Sequence, residues 1–101
     1  MSAPLERYRV RIGMHGISRR AIDAALPGLR STLARRSHLE SPTLAWDAAA
    51  ERLVLEATVE APGPDRAAGW LSDDLLQITV AEIDDLDELH FEVLSVRIAE
   101  P

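Results

Sequence analysis

The residues best suited to chemistry lie in one short stretch, Gly13-Met14-His15-Gly16-Ile17-Ser18-Arg19. It combines an imidazole, a thioether, a hydroxyl, a guanidinium and two glycines, between an alternating apolar run and a helical one. Backbone N–H groups at a helix N-terminus favour negative charge. Gly13, His15, Gly16, Ser18 and Arg19 are therefore candidate ligand-binding residues for an anion. The stretch lacks the full Gly-rich dinucleotide pattern and the phosphate-loop Lys, and a tight turn that needs glycine accounts for the same residues. His15 and His90 are candidate catalytic acid–base groups, each requiring a carboxylate brought to it by the fold. The spacing of His15, His38 and His90 matches no zinc motif. Ser18, Ser31 and Ser72 suit cap or helix-surface roles, so a Ser-His-Asp triad has no local support. Asp73-Asp74 and the run Asp84 to Glu88 could attract a hard cation, but they lack the calcium-hand pattern and read as solvated faces. There is no Cys, hence no thiolate ligand, thiol nucleophile or disulfide. No metal and no cofactor is expected, and the incomplete catalytic set leans away from an enzyme.

These residues must be positioned by the elements around them. Tyr8, Val10, Ile12 and Met14 alternate with Arg7, Arg9, Arg11 and Gly13, the period of a half-buried strand. Ser18 is an N-cap for a helix whose apolar face is Ile22, Ala25, Leu26, Leu29 and Leu33. Pro27-Gly28 predicts a kink, or a break into two short helices. Ser37 to Pro42 reads as a loop and Thr43 to Trp46 as a short strand, joined by a short connection to a strand over Arg52 to Glu60. Pro62-Gly63-Pro64 punctuates the chain before a helix that Asp65 caps or begins, with Ala67, Ala68, Leu71, Leu75 and Ile78 inward. The last strand is His90 to Ala99, with Leu94, Val96 and Ile98 on one face and Phe91, Val93 and Ser95 on the other.

Val10 to Leu26 resembles the opening of heavy-metal-associated domains, which place Gly-Met-Thr-Cys-x-x-Cys after their first strand. Gly13 and Met14 match that motif, and Ala21, Ile22 and Leu26 fit the helix that follows. The two metal-binding cysteines of the family fall on Gly16 and Arg19 here, so the resemblance implies a strand-turn-helix geometry without the soft-metal site. The whole chain, strand-helix-strand-strand-helix-strand, is similar to the ferredoxin-like split βαβ. The expected fold is a single α+β domain over residues 1–101, a four-stranded antiparallel sheet with two helices on one face. Arg9 and Arg11 would then stand on the open sheet face beside Glu56, Thr58 and Glu92.

Composition narrows the function classes. Residues 1–50 carry a net charge of +4 and residues 51–101 a net charge of -10. All eleven cations are Arg, as the codon usage of a GC-rich bacterial genome favours. Nucleic acid is not an expected partner, because the net charge is -6 and the outward positions of the central strands hold no aromatic ring for base stacking. No apolar run approaches the ~20 residues of a membrane span, and a cytoplasmic location is expected.

One feature is in surplus. Leu76 and Val80 lie opposite the inward face of the second helix, and Val54, Phe91 and Val93 fall on the strand face directed away from the helices. Two layers cannot cover both sets, so these five residues are candidate interface positions and a homo-oligomer is expected. The sequence thus points to a small non-enzymatic binding or protein-interaction module. The alternatives are a small dimeric enzyme with a His/carboxylate pair at an interface cleft, and a small-molecule sensor resembling ACT domains.

Overall fold

The computed structural model describes residues 4–83, 86 and 88–99. Its elements are β1 (Glu6–His15), α1 (Arg19–Ala34), β2 (Glu40–Asp47), β3 (Arg52–Ala61), α2 (Pro64–Glu82) and β4 (His90–Ile98). They build one antiparallel sheet in the order β2-β3-β1-β4, with the helices on one face, the ferredoxin-like split βαβ. The alternation in β1 sends Tyr8, Val10, Ile12 and Met14 into the layer beneath α2, where all four are buried. Their ladder partners Val59, Ala57, Leu55 and Leu53 on β3 are buried with them. Ile22, Leu29 and Leu33 of α1 and Leu71, Leu75 and Ile78 of α2 close this core from above. Each such side chain withdrawn from water contributes about 1.5–3 kcal/mol.

Local chemistry sets the ends of the elements. Ser18 Oγ accepts the Ala21 N–H at 3.2 Å, satisfying one orphan donor at the start of α1. α1 continues through Pro27 as one helix, instead of dividing there. Pro27 removes the hydrogen bond to the Asp23 carbonyl, but both residues are exposed and water can take the carbonyl instead. Pro64 opens α2 with Gly63 as its N-cap. Asp65 is therefore a first-turn residue and not the cap, and its charge still favours the helix dipole.

β2 begins at Glu40, inside the segment expected to be loop. Two arginines of β1 hold it there. Arg7 grips the Glu40 carboxylate at 2.8 and 3.0 Å, and Arg9 donates to the carbonyls of Glu40 and Ser41. The pairing with β3 shifts between Glu40 and Thr43, and Ser41 adopts a φ of 47°. With Pro42 beside that irregularity, this edge of the sheet is poorly shaped to accept another strand.

The other edge, β4, carries a register shift of its own. Ser95 pairs with Arg11 but Val93 pairs with Ile12, leaving Leu94 as the extra residue of a bulge. The bulge reverses the inside-outside phase of the strand. Val93 and Phe91 stand opposite Ile12 and Met14, on the helix side of the sheet, and not on the open face that strict alternation implies. Leu94 has moved to the open face, its Cδ1 3.5 Å from where a Cβ on Gly13 would stand.

Candidate functional site

The end of β1 delivers His15 to the edge of the open face, opposite His90 of β4. Its Nε2 lies 3.0 Å from Glu92 Oε2. Arg52 Nη1 reaches the same oxygen at 3.2 Å, and Arg52 Nε holds Asp47 Oδ2 at 3.1 Å. The aliphatic stem of Arg52 crosses Gly13, where any Cβ would sit 3.1 Å from Arg52 Cδ. Gly13 is thus buried in the strand and provides room for the arginine, rather than taking part in the turn.

The charges settle accordingly. The hydrogen bond from His15, aided by Arg52, holds the Glu92 carboxyl below its ordinary range against some desolvation. The Ala50 backbone N–H does the same for Asp47, with further help from Arg52. A carboxyl depressed in the folded state stabilises the fold above its unfolded pKa, and that contribution is lost as pH falls through the folded value. His15→Ala should therefore move the Glu92 titration midpoint upward, toward the ~4.3 of a free Glu. Carboxyl-carbon NMR reads this directly, and an unmoved midpoint would remove His15 as the cause.

Beside this network the turn borders an open depression of about 380 Å³, lined by His15, Gly16, Ser18, Arg19, Trp46 and Glu51. Of the candidate turn residues, His15, Gly16, Ser18 and Arg19 border this depression together, and Gly13 does not. Ser18 Oγ is engaged with the helix, and the Arg19 guanidinium leans toward Asp23 at 3.7 Å. His90 is 3.9 Å from Glu88, and both side chains are largely in solvent. Met14 is turned away into the core, where the Thr79 hydroxyl meets its sulfur at 3.7 Å. Among the described residues no three His, Asp or Glu side chains converge as metal ligands.

The charged ladder of the open face forms between the central strands. Glu56 takes Arg9 at 2.8 Å and Arg11 at 3.3 Å, and Arg9 also reaches the Thr58 hydroxyl. Glu92 stands apart from it, with His15 and Arg52. Val54, expected as an exposed interface position, is only 8% exposed. It lies between Gly13 and Ala45 in the ladder, with Arg11 and Glu56 sharing its depression.

Asp74 also departs from the reading of Asp73-Asp74 as a solvated pair. It is 6% exposed and accepts from His38 Nε2 at 2.8 Å and from Arg36 at 3.5 Å, tying the α1–β2 connection to α2. The position was legible: Asp74 is three residues from Leu71 and four from Ile78, on the buried face of α2. Of the acidic run, Asp84, Asp85 and Asp87 lie outside the described residues.

The remaining candidate positions are all on the helix side of the sheet. Leu76 and Val80 of α2 are 38% and 58% exposed, and Phe91 and Val93 of β4 are 36% and 54% exposed. The bulge brings the two pairs to the same side of the sheet, next to an edge with no strand beyond it. No known protein family matches this chain, and no curated protein or solved structure matches it either.

Proposed function

We propose that this chain is a small non-enzymatic interaction module that acts as a homo-oligomer, recognising a protein or a small ligand. The observation that carries this reading is the apolar flank of Leu76, Val80, Phe91 and Val93 beside the unpaired edge of β4. Exposed apolar side chains at a strand edge are a liability unless something covers them. Both edges are irregular, but the β2 edge carries Pro42, whereas β4 has no proline and presents apolar side chains. Sedimentation velocity over a concentration series tests the reading: a dimer of twice the 11.1 kDa chain mass is expected at micromolar concentrations. A monomer at several hundred micromolar would refute it.

A second reading, a small dimeric enzyme, is supported by the 3.0 Å His15–Glu92 pair next to the open depression. An acid–base dyad requires that geometry. Glu92 is also neutralised by Arg52, which suits a structural ion pair better than a proton acceptor, so the interaction module ranks first. An ACT-like sensor would use the same depression for its ligand.

A further inference from the structure

The bulge gives the free edge of β4 a symmetry that a regular strand lacks. When two copies of a regular strand pair about a two-fold axis perpendicular to the sheet, a residue must stand opposite its own copy, since neighbours point to opposite faces. In β4 the neighbours Leu94 and Ser95 share the open face, Leu94 against Gly13 and Ser95 opposite Arg11. An axis passing between Leu94 and Ser95 therefore keeps both faces in register along the strand. On the open face it places Glu92 opposite Arg97 of the second copy. On the helix side it places Phe91 opposite Ile98, and Val93 opposite Val96.

We infer that two copies of this chain pair antiparallel through β4 in this register, with reciprocal Glu92–Arg97 ion pairs across the seam. This rests on the reading of the α2–β4 flank as a self-association surface, and it specifies the partner and the pairing.

Three observations converge on it. Arg97 faces Arg9 across the β1–β4 ladder, a like-charge pairing that destabilises a sheet, and among the described residues it has no ion-pair partner. Glu92 binds both His15 and Arg52 through Oε2, leaving Oε1 to accept a further donor. Leu76 and Val80 of α2 are exposed on the same side of the sheet as Phe91 and Val93, so the helix side adds apolar surface to the seam. An edge bulge ordinarily hinders pairing with a regular strand. A second bulged copy matches its irregularity, so the same feature that blunts the edge toward other strands selects this one.

Disulfide trapping tests the register. Opposed residues of antiparallel strands have Cα atoms about 4.5–5.5 Å apart, within the range a disulfide spans. Chains bearing Glu92→Cys and Arg97→Cys are mixed under mild oxidation, and each is also oxidised alone. The mixture is expected to cross-link at least ten-fold faster than either chain alone, because identical positions sit about 17 Å apart along the seam at ~3.4 Å per residue. Equal rates, with the unaltered protein still sedimenting as a dimer, would overturn the register and leave self-association standing. A monomeric unaltered protein would overturn both.

Discussion

The double substitution V80E/V93E should leave the fold intact and weaken self-association by about 100-fold or more, roughly 2.7 kcal/mol. Val80 and Val93 are more than half exposed within the chain, and surface substitutions of that kind ordinarily change folding stability by within about 0.5 kcal/mol. At a seam the same side chains face an apolar neighbour, and a carboxylate there must be desolvated without a partner. Truncation of well-packed interface anchors alone costs about 2 kcal/mol or more, and introduced charge adds to it. Sedimentation and thermal unfolding together read the two quantities. Unchanged association in V80E/V93E would show that the flank is not the contact surface.

Gly16→Ala should destabilise the fold by about 3 kcal/mol, the largest effect expected of an alanine at any of the five glycines. Gly16 has a φ of 107°, a backbone conformation that L side chains rarely adopt, and such strain costs of order 1–3 kcal/mol. Its added Cβ would also run into the carbonyl oxygen of Glu88, backbone that cannot swing aside as a side chain does. Gly69→Ala is the internal contrast. Gly69 is an exposed helical residue of α2 with nothing near its missing Cβ, so alanine there should stabilise by about 0.5–1 kcal/mol. Chemical denaturation of the two variants gives both numbers. Equal effects would mean that the turn has no special conformation to protect.

Gly16 also shows how far the turn could be read from the residues alone. A glycine between a strand and an N-capping serine announces a tight turn, and Ser18 caps as its type suggests. What the turn packs against was not legible, because Glu88 is far along the chain. β1 and β3 were readable as strands, since the inward residues of each recur at every second position, although Val54 and Thr58 of β3 are buried on the other face as well. The start of β2 was hidden for the opposite reason. Ser41 and Pro42 argue for a loop, and only the long-range grip of Arg7 and Arg9 keeps them on the sheet.

The bulge of β4 left a trace that simple alternation overlooks. Its polar residues are His90 and Glu92, then Ser95 and Arg97, and the change of parity falls at the extra residue, Leu94. Simple alternation therefore puts Phe91 and Val93 on the open face, whereas the register places them on the helix side, where both are exposed. The His15 carboxylate partner was open for a similar reason: Glu92 is one of seventeen acidic residues, and only the β1–β4 register selects it.

The most direct measurement is amide hydrogen exchange, followed strand by strand at protein concentrations well above and well below the dissociation constant. A paired edge protects its outward N–H groups, whereas an edge open to water does not. Protection of β4 amides that rises with concentration, while the β2 edge stays unchanged, is the result this account predicts. β4 exchange that is independent of concentration, or protection that appears at β2 instead, would contradict it.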